Sequence, residues 1–210
     1  MGYNPDPGRV VDWVRTSCTA VIRGNHDKVV AGTDGLEWFN DVAQIAAQWT
    51  IAHLSQEQVG YLRALPQGPV KLEYCQMWHG SPRDEDEYIT NVREAAPCFS
   101  FFEMPAAFFG HTHLQGAFFS RYRRTGIFPP VPKDAIEAVI ELDPDTLFLV
   151  NPGSVGQPRD GDPRAAYAIL DSEQKYIALR RTKYPVQQTA DAICRAGLPE
   201  ILAQRLLAGI

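Results

Sequence analysis

The spacing of apolar residues changes along the chain at about Gly110. Before this point, helical periods alternate with short apolar runs, which is the pattern of an α/β fold. After it, short segments rich in β-branched and aromatic residues are separated by turn signals such as Asp143-Pro144-Asp145. Two helical segments close the chain. The pattern therefore predicts an α/β domain that continues as a strand-rich meander and ends in helices.

The predicted helices cover residues 8–16, 36–52, 55–64, 84–95, 186–196 and 198–208. The predicted strands cover residues 19–23, 70–78, 117–123, 135–142, 146–150, 165–171 and 176–183. Ser55 with Gln58 three residues later forms a capping box that starts the third helix. The helix over 36–52 is amphipathic, and the residues expected on its apolar side are Trp38, Phe39, Val42, Ile45, Ala46 and Trp49.

Four of the five histidines lie in three short motifs, which are Gly24-Asn25-His26-Asp27, His79-Gly80-Ser81-Pro82 and Gly110-His111-Thr112-His113. We expect each motif to lie just past the C-terminal end of a strand, where open α/β sheets bind ligands. Imidazole, amide and carboxylate groups are ligands of first-row metals, and a cluster of them is typical of phosphate-ester hydrolysis. The shared position predicts that Asn25, His79, His111 and His113 converge around divalent cations.

Each motif also has a structural interpretation. The first one contains ordinary turn residues, and His79 after an apolar strand is compatible with a half-buried side chain of no further role. In the functional interpretation, His26 shuttles a proton and Asp27 holds its ring in one tautomer. Alternate residues of an extended segment project to one side, so metal binding is the favoured interpretation for His111 and His113.

Composition narrows the classes of function. With 210 residues, of which 45% are hydrophobic, the chain is expected to form a single domain over residues 1–210. A net charge of −5 disfavours a broad nucleic-acid surface. No apolar run has the length of a signal peptide or a membrane span, so we expect a cytoplasmic protein without a membrane partner. The four cysteines are far apart, which predicts free thiols in a reducing compartment.

The three histidine motifs are followed by Asn151-Pro152-Gly153-Ser154-Val155-Gly156-Gln157-Pro158-Arg159. In this order the set resembles the calcineurin-like metallophosphoesterase superfamily, and especially its compact prokaryotic phosphodiesterase and diadenosine-tetraphosphatase-like members. The resemblance extends from about Gly2 to Asp171. It implies a four-layer α/β/β/α sandwich with two divalent ions, Mn²⁺ first, with Fe, Zn, Ni or Mg as alternatives. It also implies hydrolysis of phosphomonoesters or phosphodiesters by a metal-bound hydroxide.

Carried over position by position, the resemblance implies that Asn25, His79 and His111 bind the second ion and that His113 binds the first. His26, steadied by Asp27, would lie near the scissile phosphate and assist the leaving group. The implied partner is a phosphate-ester substrate, with nucleotides and phosphoproteins among the candidates. The oligomeric state is left open.

The family pattern begins with an Asp-x-His motif and a Gly-Asp motif, and neither is present before Gly24. The chain starts with Met1-Gly2-Tyr3-Asn4-Pro5-Asp6-Pro7, which is similar to the stretch that follows Gly-Asp in the family. We therefore expect an N-terminally incomplete domain without the first strands of the fold, and neither Asp6 nor Asp12 is a good replacement ligand. A late start or a true short form would explain this. A non-catalytic scaffold or binding protein of the same fold is the alternative function.

Overall fold

The computed structural model describes residues 2–210 and contains two compact units. The first comprises the chain up to Gln67 together with Pro185–Leu207, and the second comprises Gly68–Tyr184 and Ala208–Ile210. None of the helices within residues 2–210 has the length and apolar character needed to cross a membrane. The single domain expected from the sequence stays a prediction.

The first unit is helical. Its helices are α1 (Pro7–Ser17), α2 (Asn25–Val30), α3 (Asp41–Ala52), α4 (Gln56–Ala64), α6 (Val186–Arg195) and α7 (Glu200–Ala208). One apolar cluster joins α3 to α6 and α7 through residues such as Ala46, Ile193 and Leu202. A second joins α1, α2 and α4 around Val11 and Leu62. The predicted capping box is confirmed, because Ser55 and Gln58 exchange side-chain and backbone hydrogen bonds at the start of α4.

Two predictions in this unit are wrong. The segment over 19–23 forms no strand; its Arg23 N–H donates instead to the Pro66 carbonyl, and the Gly24 motif opens α2. The helix expected over 36–52 is interrupted after a short 3-10 helix, because the Asn40 side chain accepts the Ala43 N–H and starts α3 there. Trp38, expected on the apolar side, is 79% exposed. The buried face consists of small residues, Ala43, Ala46, Ala47 and Thr50.

The second unit contains two sheets and one short α-helix, α5 (Val92–Ala95), within its described residues. Its strands are β1 (Val70–Lys71), β2 (Gln76–Met77), β3 (Ala106–Phe108), β4 (Gly116–Arg121), β5 (Arg124–Phe128), β6 (Glu137–Glu141), β7 (Thr146–Asn151), β8 (Ala165–Asp171) and β9 (Tyr176–Thr182). The six-stranded sheet has the order β1-β2-β3-β7-β4-β5, and the three-stranded sheet has the order β6-β9-β8. β3 runs parallel to both of its neighbours, β2 and β7, whereas the other pairs are antiparallel.

Here too, two predictions are wrong in detail. The strand expected over 70–78 is a hairpin, in which β1 pairs with β2 and the Leu72 N–H closes the turn on the Cys75 carbonyl. The helix expected over 84–95 is reduced to α5, because the Asn91 side chain caps it by accepting the N–H groups of Arg93 and Glu94. Residues 84–91 therefore form a loop of turns.

The core of the second unit lies between its two sheets. Phe148 and Val150 from β7 face Ile177 and Leu179 from β9 in one buried cluster. The other face of the six-stranded sheet packs against α5 and the 3-10 helix Ala96–Phe101 through a cluster around Trp78. The predicted α/β class is confirmed. The cysteines are free as expected, with Cys75 and Cys98 buried and Cys18 and Cys194 exposed.

Candidate functional site

The strand order determines where the histidine motifs lie. β2 and β3 are neighbouring parallel strands, so their C-terminal ends meet at the same edge of the sheet, with Met77 beside Phe108. His79 follows β2 and the Gly110 motif follows β3, and the Gly110 N–H donates to the His79 carbonyl over 2.8 Å. The second and third motifs therefore lie side by side. Asn25, His26 and Asp27 belong to the first unit.

His79 and His111 form the closest pair of candidate ligands. His79 Nε2 lies 3.1 Å from His111 Nδ1, and His111 Nε2 lies 3.1 Å from the Asp86 carbonyl oxygen. Because a carbonyl only accepts, His111 carries a proton on Nε2, and its other nitrogen, Nδ1, is directed at His79. Two ligands about 2.0–2.1 Å from one ion are about 3 Å apart when they subtend roughly 100°. The pair has the spacing of two ligands that share one ion.

The loop that follows His79 supports this pair. Besides the Asp86 carbonyl, the Tyr88 ring contacts the His111 ring with their centroids 4.1 Å apart. Ser81 organises the loop, since its hydroxyl accepts the N–H groups of Arg83 and Asp84. His111 is buried beneath these contacts. The segment that the sequence predicted as an acidic helix is thus the loop that holds the His111 ring.

His113 is held in a similar way by a different loop. Its Nδ1–H donates to the Gln157 carbonyl over 2.8 Å, which leaves Nε2 as the nitrogen with a lone pair. Burial, together with the positive charge of Arg159, lowers the pKa of His113 to about 3. At neutral pH the ring is therefore the neutral imidazole, which is the form that binds metals.

The backbone of the third motif has an unusual conformation. His111 and His113 have φ values of 64° and 60°, in the left-handed region that side chains other than glycine seldom adopt. The extended segment expected here is therefore wrong. Asn151 stabilises the turn, because its amide nitrogen donates to the Gly110 carbonyl and to the Thr112 hydroxyl. Such conformations cost on the order of 1–3 kcal/mol each and concentrate at functional sites.

The first motif has a different structure. Gly24 precedes α2, and its N–H donates to Asp27 Oδ2 over 2.8 Å. His26 is buried between the rings of Tyr3 and Phe39, with both centroids 4.4 Å from its own. Asp27 thus stabilises the helix start, and its predicted action on the His26 ring stays a prediction. Asn25 is the first residue of α2.

The kinds of ligand atoms in the second unit determine which metal ions its histidines could bind. Within residues 2–210, no three His, Cys, Asp or Glu side chains are grouped closely enough to hold an ion. Among these residues, His79 and His111 are therefore not part of a group of three such side chains. Two imidazoles, one of them oriented by a main-chain carbonyl, fit a divalent ion that accepts nitrogen ligands.

Several contributors to this site escape prediction from the sequence. Asp86 and Gln157 act through main-chain carbonyls, which carry no sequence signal. Tyr88 would require knowledge of the loop conformation. Gln157 and Arg159 do lie in the stretch that follows Asn151, so the family-like motif indicated their region but not their contacts with His113.

Comparisons with known proteins identify the family. No protein-family model matches the chain. It is 30% identical over 220 residues to the uncharacterized protein MJ0912 of Methanocaldococcus jannaschii, and the match covers the whole chain and 83% of that protein. It is 36% identical to a metallophosphoesterase from Sphaerobacter thermophilus of known crystal structure, with a TM-score of 0.83 over the whole chain and 85% of that protein. The chain belongs to the calcineurin-like metallophosphoesterase superfamily.

A more distant solved structure supports the same fold. The hypothetical protein PH1004 from Pyrococcus horikoshii OT3 matches the whole chain with a TM-score of 0.73 at 20% identity, which shows a shared fold. The predicted family and fold class are confirmed, and the chain is a member of a hydrolase family whose members generally use divalent metals.

Proposed function

We propose that this metallophosphoesterase hydrolyses phosphomonoesters or phosphodiesters with a divalent ion bound by His79 and His111. The observation that supports the proposal is the 3.1 Å separation of His79 Nε2 and His111 Nδ1, with the opposite nitrogen of His111 occupied by the Asp86 carbonyl. When bound, the ion would supply positive charge for the phosphoryl oxygens and acidify a water molecule. The chain contributes two oriented imidazole ligands.

His113 is the next ligand in the proposal. Its Nδ1–H is held by the Gln157 carbonyl, and its low pKa keeps Nε2 unprotonated at neutral pH. Imidazole ligands favour Zn, Fe and Ni, whereas Mg and Mn prefer sites richer in carboxylates. Mn²⁺ is the ion that the family resemblance suggests, and the donor set of this chain makes Zn, Fe and Ni strong competitors.

The first motif enters the proposal through the sequence resemblance alone. That resemblance assigns a metal ligand to Asn25 and the protonation of the leaving group to His26, with Asp27 as its support. The cellular location is proposed on chemical grounds, because four unpaired cysteines are compatible with the reducing cytoplasm.

The test uses the purified chain after removal of metals. Mn²⁺, Zn²⁺, Ni²⁺ or Fe²⁺ is added back, binding is measured by calorimetry, and turnover is measured on p-nitrophenyl phosphate and bis-p-nitrophenyl phosphate. We expect His111→Phe to retain the ring contact with Tyr88 but to lose on the order of 100-fold or more in metal affinity and turnover, since even indirect support of a ligand contributes 10–100-fold.

The matched control is His53→Phe. His53 follows α3, stacks on Trp49 and belongs to none of the three motifs, so its replacement should leave metal affinity and turnover unchanged. Equal losses in both variants, or full turnover in His111→Phe, would contradict the proposal.

A non-catalytic scaffold is the second candidate function. The observation that favours it is the absence, within residues 2–210, of a third His, Cys, Asp or Glu side chain grouped with the histidine pair. A wild-type chain that folds but neither binds the four metals nor hydrolyses either ester would support the scaffold over the enzyme.

A further inference from the structure

A buried ion pair lies behind the loop that carries His113. Arg181 on β9 is 4% exposed, and its guanidinium forms an ion pair with Asp160. Its Nε also donates to Gln115 Oε1 over 2.9 Å. A buried charge of this kind destabilises a protein strongly once its partners are removed. The side chains that Arg181 contacts are therefore expected to be rigidly placed.

Gln115 connects this ion pair to the third motif. It lies two residues after His113 and is buried, and its main-chain N–H donates to Asp160 Oδ2 over 3.0 Å. Its side-chain amide donates to the carbonyls of Pro152 and Arg180. Both sides of the amide are thus engaged, so Gln115 has a single well-defined position.

Segments 113–115 and 157–160 are joined by three hydrogen bonds. The His113 ring donates to the Gln157 carbonyl, and the Arg159 N–H donates to the His113 carbonyl over 3.2 Å. The third bond is that of the Gln115 N–H with Asp160, the residue that Arg181 fixes. The left-handed backbone of His113 persists only if its surroundings enforce it.

We infer that Arg181 is a positioning residue for His113, acting through Asp160 and Gln115. It keeps the loop over 157–160 against the third motif, so that the ring N–H of His113 stays on the Gln157 carbonyl and Nε2 remains the ligand atom. The expected effect of Arg181 on metal affinity rests on the proposed function. Its effect on the orientation of the His113 ring does not require a bound metal.

A neighbouring ion pair provides a matched control. Arg164 is largely shielded from solvent, with its side chain 12% exposed, and pairs with Asp162, two residues after Asp160. Its other side-chain bonds go to the carbonyls of Ala135 and Pro132, and none goes to the segment 113–115. Arg181 does donate to the Arg164 carbonyl, but a change of the Arg164 side chain leaves that oxygen in place.

The experiment compares Arg181→Lys with Arg164→Lys in the metal-free chain. Lysine keeps the charge but lacks the planar fork of the guanidinium, whose separate nitrogens reach Asp160 and Gln115, so it does not hold both side chains in the same geometry. The tautomer and exchange of the His113 ring are followed by nitrogen-15 NMR, with the signal assigned by its loss in His113→Gln. We expect Arg181→Lys to lose the protected Nδ1–H signal and Arg164→Lys to retain it, although both lower the melting temperature.

Binding of Zn²⁺ and Mn²⁺ is then measured by calorimetry on the same variants. We expect Arg181→Lys to lose about 10- to 100-fold in affinity and Arg164→Lys to stay near wild type. If Arg181→Lys does not fold, Asp160→Asn, which keeps the volume and one acceptor, takes its place with the same expected result. A His113 signal that survives in the Arg181 or Asp160 variant, or that changes equally in the Arg164 variant, would overturn the inference. A wild type that shows the protected signal but binds no metal would contradict only the proposed function.

Discussion

The two units restrain their histidines by different means. In the first unit, His26 is packed between the rings of Tyr3 and Phe39, whereas in the second, main-chain carbonyls accept the ring N–H groups of His111 and His113. Ring packing restrains the position of an imidazole but not the nitrogen that carries its proton. A carbonyl partner determines the tautomer as well. The second unit therefore orients its histidine nitrogens through main-chain carbonyls, and proton transfer by His26 stays a prediction.

The largest expected effect tests the role of His26. His26→Phe preserves the packing between the two rings but removes both nitrogens, so turnover should fall on the order of 10²- to 10⁴-fold if the ring transfers a proton. Its free energy of unfolding should stay within about 1.5 kcal/mol of wild type, while His26→Ala should lose roughly 3 kcal/mol. Urea unfolding and turnover of p-nitrophenyl phosphate measure the two quantities.

Phe39→Leu is the control for His26→Phe, because it loosens the packing around the His26 ring but leaves both imidazole nitrogens in place. If it lowers turnover as much as His26→Phe does, the ring acts through packing and the contrast between the units disappears. Full turnover in His26→Phe would show that the reaction does not need the His26 imidazole.

An intermediate effect concerns the carbonyl that holds His111. A Cβ added at Gly80 would lie 2.6 Å from both the Glu85 and Glu87 carbonyl oxygens, so the backbone around Asp86 would have to move. Gly80→Ala should therefore lower turnover and metal affinity about 10–100-fold and cost about 1–3 kcal/mol of stability. Turnover assays, calorimetry and thermal unfolding measure these changes.

Gly110→Ala is the matched control for Gly80→Ala. Its Cβ would meet nothing closer than His79 Nδ1 at 3.7 Å, which is an ordinary contact. We expect a stability change within about 1 kcal/mol and little change in turnover. Equal losses of turnover and stability in the two variants would show that displacement of the Asp86 carbonyl does not explain the effect of Gly80→Ala.

The sequence predicts those parts of the molecule that depend on local chemistry. Ser55 and Gln58 form their capping box as expected, and the strands β6, β7, β8 and β9 lie where the alternating pattern indicates. The hairpin within 70–78 was not predicted, because its turn contains neither glycine nor proline. Strand 19–23 was predicted from composition, but a strand also requires a ladder of hydrogen bonds to a neighbouring strand, and the segment is not assigned to either sheet.

The candidate site was predictable only in its side chains. His79 and His111 could be paired because their motifs follow strands, but the carbonyls that orient the rings belong to loops without periodicity. Arg181 looks like a solvated residue of a basic strand, and its burial depends on Asp160, which is distant in sequence. Long-range pairs of this kind form when the chain folds and distant segments pack together. The residue pattern within one segment does not predict which distant residue it will contact.

The smallest expected effect compares acid sensitivity in the two units. Hydrogen bonds and the charge of Arg164 lower the pKa of Asp162 despite its burial, and the N–H of Gly35 with the charge of Lys28 lowers the pKa of Asp34 despite partial burial. Each carboxylate stabilises its unit at pH values above its unfolded pKa of 3.8, and this contribution is lost as the pH falls through the lower folded pKa.

The Asp162 side chain is 8% exposed and that of Asp34 is 33% exposed, so solvent screens the second pair more. Asp162→Asn should cost roughly 1–3 kcal/mol at pH 7 and flatten the decrease in stability below about pH 4, and Asp34→Asn should do both to a smaller extent. Chemical unfolding at several pH values between about pH 3 and pH 7 measures the stability of both variants. A larger effect at Asp34 would reverse the expected order.

The carbonyl supports at Asp86 and Gln157 have a consequence for how this protein varies. A peptide oxygen is the same whichever residue supplies it, so the hydrogen bonds that hold the His111 and His113 rings do not themselves require a particular side chain at positions 86 and 157. As far as these two hydrogen bonds are concerned, the side chains at both positions can vary between relatives, provided that the path of the main chain is kept. Insertions and deletions, which alter that path, are the changes that such a protein would tolerate least.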